Sequence, residues 1–378
     1  MTEFRYNPFA ASFQRTMYDD YRAMRDEHPV YVDPDGHFVA LTRFDDVWNA
    51  VHDHDRFSSA AAEARGLLPM MIYFDQPRHR ANRAIVSRAF TPKRIAGIES
   101  VVAAVADRLC DELAVEGEFD FQHRYAAPLP AMVVGRLIGV PDDMIDDFAR
   151  WTETFLEIND AEQFASNATS IYEAFTGLLA ERRARPTDDL MSALLAAEID
   201  GERLTTDELL GFCMLLILAG NDTTSSLLGN GLVLLDRHPE QRELLLAEPD
   251  RWPAAIEEML RFDAPAQALP RTTTVDVELH GTTIPAGTRV LLVWGAANHD
   301  EREFDDPERF DITRTIRRHL ALGHGIHHCL GANLARLEAR VAFTTFYERF
   351  GAPQLTDEPV RVVSHWARAH SRIPVAIG

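Results

Sequence analysis

Cysteine is scarce in this chain. Its three copies, Cys110, Cys213 and Cys329, are far apart and odd in number, which excludes a disulfide framework and suits a reducing cytoplasm. Positive charge is also short: 38 Lys and Arg face 59 Asp and Glu, leaving a formal net charge of -21. A chain this acidic lacks the basic patches that nucleic acid and anionic lipid require, so neither is expected as a partner. Long apolar runs are missing too. The longest, Phe212 to Ala219, falls well short of the roughly 20 residues that span a bilayer, and the opening MTEFRYNPFAASFQ lacks the charged-then-apolar pattern of a signal peptide. These absences predict a soluble, cytoplasmic protein that engages no membrane. No internal repeat or low-complexity tract is evident. What the chain does have is apolar residue, 46% of 378, enough for a sizeable core in two or three domains or in one large helical domain.

The most informative stretch is LGHGIHHCLG, Leu322 to Gly331. It sets Cys329 among three glycines and three histidines, directly before a helical pattern from Ala332 to Tyr347. A thiolate just ahead of a helix N-terminus is favoured by the unpaired N–H groups and the positive dipole end. Three readings compete. His324, His327, His328 and Cys329 suggest zinc, yet zinc sites take ligands in two spaced pairs and no second pair stands nearby. A lone cysteine in a turn is ordinarily buried and inert. The third reading is a single axial thiolate on haem iron, where one protein ligand suffices.

Along the chain, Tyr18 to Glu27 reads as a short helix, Val30 to Val32 and Phe38 to Leu41 as a hairpin around Asp35-Gly36, and Arg43 to His52 as another helix, a small N-terminal lobe with sheet. Leu67, Leu68, Met70, Met71 and Ile72 follow without periodicity, as core segments do. Asp75 and Pro77 open a helix on which His79 and Arg83 lie four apart, able to meet one anion. Thr91-Pro92 starts the next, running to Leu113. Further helices are expected from Pro141 to Glu157 and Ala161 to Arg183, joined by Ile158 to Asp160. Thr205 and Glu208 form a capping box before a long apolar helix. Within it, Asp222, Thr223 and Thr224 follow LLILAGN, costly unless paired or facing a wet cavity; a helix end at Gly220 with Asp222 as the next cap is the plain alternative. Pro239 and Trp252 open two more helices, the second carrying Glu258 and Arg261 three apart, an ordinary intrahelical pair when exposed. Alternation around His280-Gly281 and from Val290 to Trp294 is hairpin chemistry, as is the tail from Val360 to Ile377.

Four of these segments, in this order, resemble the cytochrome P-450 family. The cysteine loop is similar to its F-x-x-G-x-H/R-x-C-x-G signature, with Gly325, His327, Cys329 and Gly331 in place and Leu322 where the family has an aromatic ring. DQPRHRANR resembles D-P-P-x-H-x-x-x-R, AGNDTT the family's acid-alcohol segment, and Glu258 to Arg261 with PERF at Pro307 to Phe310 the E-x-x-R and P-E-R-F pair. The fold this implies is mainly α with a small β-rich lobe: a triangular helical prism around a buried haem, residues 1–378 forming one domain.

The resemblance implies a haem b (iron protoporphyrin IX) monooxygenase that inserts one atom of O2 into a medium-sized, largely apolar small-molecule substrate. Cys329 is then the axial iron ligand, and His79, Arg83, Arg271 and His327 hold the two propionates. Ala219 faces the haem from a locally opened helix, Thr223 holds oxygen and a water, and Asp222 relays protons. Glu258, bridged by Arg261 and Arg309, locks the cysteine loop. Ala266, Gln267, Ala268 and Leu269 border the substrate beneath a Leu/Met roof at Leu67 to Ile72. No flavin- or nicotinamide-binding stretch is evident, so electrons are expected from a separate ferredoxin and ferredoxin reductase docking on Arg314, Arg317, Arg318, Arg336 and Arg340, with the protein a monomer. Two other classes share a haem: a peroxide-driven or non-oxygenase haem-thiolate enzyme, and a haem-binding sensor or carrier.

Overall fold

In the computed structural model, which describes the chain except residues 1–3, 9, 11, 61–68, 90–91, 153–160, 199–200 and 378, the polypeptide forms two units. The first comprises Met1–Ala64, His238–Cys329 and Arg361–Ala369, the second Arg65–Arg237, Leu330–Val360 and His370–Gly378. Numbered along the chain, the helices are α1 (Phe13–Glu27), α2 (Phe44–His52), α3 (Arg78–Ala89), α4 (Pro92–Leu113), α5 (Pro128–Ile138), α6 (Ile145–Thr152), α7 (Ala161–Ala184), α8 (Leu190–Ala196), α9 (Thr206–Arg237), α10 (Pro239–Ala247), α11 (Trp252–Phe262), α12 (Trp294–Ala297) and α13 (Ala332–Phe350). The strands are β1 (Val30–Val32), β2 (Val39–Leu41), β3 (Phe57–Ser58), β4 (Glu118–Asp120), β5 (Ala268–Thr273), β6 (Val277–Leu279), β7 (Thr282–Ile284), β8 (Arg289–Val293), β9 (Gln354–Leu355), β10 (Val360–Arg361), β11 (His370–Arg372) and β12 (Pro374–Ala376).

The first unit holds a five-stranded sheet in the order β1-β2-β8-β5-β3. Its central strands β2 and β8 are apolar on both faces because each face is covered, and the period-two alternation sorts the side chains. Val39, Leu41, Val290 and Leu292 pack with Phe44 and Val47 of α2. Ala40, Leu291 and Val293 pack with Phe13, Met17 and Tyr21 of α1. α1 starts five residues before the expected Tyr18 because this apolar stripe begins at Phe13. The hairpin at His280-Gly281 forms between β6 and β7, both turn residues having positive φ, as a two-residue turn requires. Val290 to Val293 pairs instead with β2, in parallel, and with β5.

Charge is buried in this unit only where it is compensated. Arg261 binds Glu258 through two hydrogen bonds of 2.7 and 2.8 Å, both side chains fully buried, and its remaining N–H groups reach the carbonyls of Asn298, Pro307 and Arg309. The second guanidinium on Glu258 belongs to Arg314, at 3.3 Å. This corrects the expected lock: the Arg309 side chain points to solvent beside Asp311 and contributes only its backbone carbonyl. Arg314, expected on a docking surface, is thereby committed to the interior. Gln267, expected to border substrate, is another correction. It is 1% exposed with its amide satisfied by Ala264 and Tyr21.

The second unit is built on α9, which packs against α5, α7 and α13. The capping box forms as expected, Glu208 N–H donating to Thr205 Oγ1 at 3.2 Å and Thr205 N–H to the Glu208 carboxylate at 3.0 Å. α9 is long and apolar enough to cross a membrane, but 67% of its most apolar window is buried inside the unit, as in a core helix. It runs unbroken to Arg237, so neither a helix end at Gly220 nor a break over Thr223 occurs. The helix expected from Pro141 begins later, at Ile145, because Pro141 itself is extended at ψ 144. The Thr91 cap, Leu67 and Leu68, the stretch 153–157 and the 158–160 connection lie outside the described residues. A strand trio, β4-β12-β9, completes the unit.

Removing one member of a buried, hydrogen-bonded ion cluster leaves the others desolvated and uncompensated, at a cost of about 3 kcal/mol or more, whereas an exposed substitution costs within about 0.5 kcal/mol. Arg314→Ala is therefore expected to lower the denaturation midpoint clearly and Arg309→Ala barely, as read by chemical unfolding. Equal effects would contradict the revised lock.

Candidate active site

The cysteine loop belongs to the first unit and is shaped by its glycines. Gly323 and Gly325 lie at φ +62 and +66, a region that disfavours side chains, and a Cβ on Gly325 would come within 2.6 Å of the Val51 carbonyl oxygen. The chain returns on itself so that the Cys329 N–H donates to the Leu322 carbonyl at 2.9 Å. Asn298 holds the entrance, accepting the Leu320 N–H at 2.7 Å. His327 meets Ser59 at 3.1 Å. His324 pairs with His52 at 2.8 Å and stacks near Trp48, which removes it from any set of ligands around the sulfur. Cys329 is half-buried. Cys110 and Cys213 are buried, and burial pushes their thiols up to about 11 and about 12, so both stay protonated and inert. Arg271, on β5, is 9% exposed and donates to the Pro270 carbonyl.

The other candidates sit in the second unit. On α3, His79 is 2% exposed and Arg83 half-buried, while the neighbouring face ties the helix to α9 through Asn82 and Arg78, which donate to Glu208 at 3.2 and 3.4 Å. On α9, Leu215, Ala219 and Thr223 recur at the four-residue interval that keeps them on one face. Leu215 and Thr223 are half-buried and Ala219 exposed, an opening midway along a helix that is otherwise core. Thr223 donates its hydroxyl proton to the Ala219 carbonyl at 2.6 Å, leaving its oxygen lone pairs to accept.

Asp222 is 6% exposed, and burial alone, with no cation paired to it among the described residues, pushes its carboxyl up to about 8. It is thus a protonated acid at neutral pH rather than a solvent-linked carboxylate. A second buried acid was not foreseen. Glu338 of α13 is 1% exposed and is raised to about 8 by burial, against the lowering effect of its hydrogen bond with Thr224. Among the described residues its Oε1 has no hydrogen-bond partner. The signal was available in the pattern, since Glu338 stands four residues from Leu334 and from Ala342 on the apolar stripe of its helix.

An acid whose folded pKa lies above its ordinary value makes the folded state bind more protons than the unfolded one. Stability from Glu338 therefore falls as pH rises between the ordinary glutamate value of 4.5 and about 8, by an amount on the order of a few kcal/mol, and levels off above that window. Glu338→Gln is expected to raise the melting temperature over wild type at pH 8 and to leave it nearly unchanged at pH 5; the same difference at both values would contradict a buried, neutral Glu338.

A model of the cytochrome P-450 family matches residues 140–364. The vitamin D(3) 25-hydroxylase of Pseudonocardia autotrophica is 38% identical, covering 98% of this chain and 96% of its own length. The steroid C26-monooxygenase of Mycobacterium tuberculosis is 41% identical, covering 84% and 82%. A cytochrome P-450 from Chondromyces apiculatus superposes with a TM-score of 0.93 at 37% identity, covering 99% of this chain and 98% of that one. The chain belongs to the cytochrome P-450 family, haem-dependent monooxygenases that act on small molecules with O2 and redox partners.

Proposed function

We propose that the protein is a haem b monooxygenase that hydroxylates a medium-sized, largely apolar molecule of the fused-ring, steroid-like class. The relatives that act on a steroid and on vitamin D support the substrate class, as do the leucines at 215, 216 and 218 beside the opening on α9. The chain's own residues fit a haem. The single observation that carries the reading is this exposure: Ala219 is exposed and Thr223 half-buried midway along a helix that is otherwise core, with the buried acid Asp222 beside them.

Cys329 would supply a thiolate ligand to the haem from a loop whose shape its glycines and Asn298 dictate. His79, Arg83, Arg271 and His327 supply cationic or donor groups for the two propionates. A thiolate-bound haem supplies the reductive splitting of O2, one atom entering the substrate and the other leaving as water. Thr223, its own proton committed to Ala219, accepts a hydrogen bond from a water and holds it in place. Asp222, neutral and buried, is the acid that passes a proton to that water. The two electrons come from a ferredoxin and its reductase. In the first unit the docking groups are Arg317, which is exposed, and Arg318, whose guanidinium is paired with Glu303 and lies over Trp48. In the second unit the docking groups are Arg336 and Arg340, the latter paired with Glu99. The enzyme works as a cytoplasmic monomer, residues 1–378 acting as one domain.

Reconstitution with ferredoxin, reductase and NADPH is expected to yield product from steroid probes, with substrate plus hydrogen peroxide alone far less effective; equal turnover from peroxide would overturn the monooxygenase reading. Proton delivery requires protonated Asp222, so the fraction of electrons ending in product is expected to fall as pH rises through about 8, because the donor is present below its pKa and lost above it. Thr223→Ala is expected to retain substrate binding while diverting electrons to peroxide by at least about tenfold. Full coupling in that variant would remove Thr223 from the proton path.

A further inference from the structure

Glycine inside a helix is destabilising relative to alanine, and Gly211 lies within the first turns of α9 at no left-handed position, so conformation does not account for it. Its surroundings do. A Cβ on Gly211 would lie 2.3 Å from the carbonyl oxygen and 2.9 Å from the carbonyl carbon of Pro69. These are backbone atoms, so no side-chain rotation relieves the clash. One turn earlier, Glu208 accepts hydrogen bonds from Asn82 and Arg78. The segment from Pro69 to Asn82 is thus fastened twice to the same face of α9. Between the fastenings, Met70 and Met71 are each 7% exposed and a turn over Met71–Tyr73 is closed by the Tyr73 N–H on the Met70 carbonyl and the Phe74 N–H on that of Met71.

Positions 208, 211, 215, 219 and 223 share one helix face by their spacing of three and four. The backbone contact at Gly211 is therefore at the end of the strip remote from Thr223, beyond Leu215 and Ala219. From Leu215 to Thr223 that strip runs about 12 Å, at 1.5 Å per residue.

We propose that Gly211 is a specificity-determining position: lacking a side chain, it lets the Pro69–Tyr73 turn lie directly on α9 and so closes the far end of the substrate space, limiting the length of an elongated apolar substrate. This rests on the monooxygenase reading above. Met70, Met71 and the Pro69 backbone form the end wall, Thr223 marks the reacting end, and a methyl at 211 pushes the wall outward.

The test uses the haem-loaded enzyme and a series of linear 1-alkylimidazoles from methyl to dodecyl. The imidazole anchors one end at the iron, and the alkyl tail reads how far away the wall stands. In wild type, affinity is expected to rise with tail length and stop rising once the tail meets the turn. In Gly211→Ala, short members bind as in wild type and the ratio of longest-tail to shortest-tail affinity rises about tenfold, the effect of about one displaced core contact. A ratio within about twofold of wild type, in a variant with an intact thiolate-type carbon monoxide spectrum, overturns the proposal. If Gly211→Ala lacks that spectrum, Glu208→Gln decides: it adds no bulk and weakens the Asn82 and Arg78 fastening, so a shift in the same direction supports the proposal and an unchanged ratio overturns it. A wild-type protein that gives no imidazole-ligated haem spectrum defeats the monooxygenase reading itself, a result separate from either of these.

Discussion

A carboxylate with no exposed surface, Glu258, gathers the first unit around the cysteine loop. Arg261 and Arg314 neutralise it, and Arg261 also binds the carbonyl of Asn298, whose side chain holds Leu320 at the loop's entrance. Taking these charges out of water is costly unless every donor and acceptor is met. Here the guanidinium donors close onto backbone carbonyls at Asn298, Pro307 and Arg309, which ties the irregular segment from 298 to 314 to α11. The cysteine loop hangs from that segment. Its support is a buried polar cluster in which the Glu258 charge is met by two guanidinium groups.

The second unit follows the opposite economy. Asp222 and Glu338 are buried without a cation among the described residues, and each is raised to about 8. Burying an unpaired acid opposes folding, and the group responds by staying protonated. A helix as apolar as α9 can carry that load because α5 and α13 cover most of it. Such a retained cost ties the stability of the unit to pH in the window below about 8, and strongly perturbed acids of this kind are what the proposed proton path draws on.

Much of this was legible in local pattern. Thr205 and Glu208 three apart read as a capping box because both bonds lie within one turn. The cysteine loop was legible through its glycines, whose positive φ and close approach to Val51 only a missing side chain allows. What was not legible depended on three-dimensional pairing or on the loss of periodicity. α5 passed unnoticed because it is buried on nearly every side, so it has no polar face to mark it. Arg309 was preferred to Arg314 because adjacency to a motif says nothing about which guanidinium the loop turns inward. Gln267 read as a substrate contact because it lies just ahead of Arg271 in the segment that the resemblance places beside the substrate, whereas its amide is consumed by Ala264 and Tyr21. Glu338 lay in plain view on an apolar stripe, and only its burial gave it meaning.

The proposed function rests on one atom, the Cys329 sulfur, as the ligand of a haem. The most direct measurement is the carbon monoxide difference spectrum of the reduced, haem-loaded protein with Cys329→Ser, alongside Cys110→Ser and Cys213→Ser. The account predicts that the thiolate-type Soret band is lost in the first variant and kept in the other two, whose thiols are buried and held protonated. A thiolate-type band that survives in Cys329→Ser would contradict it.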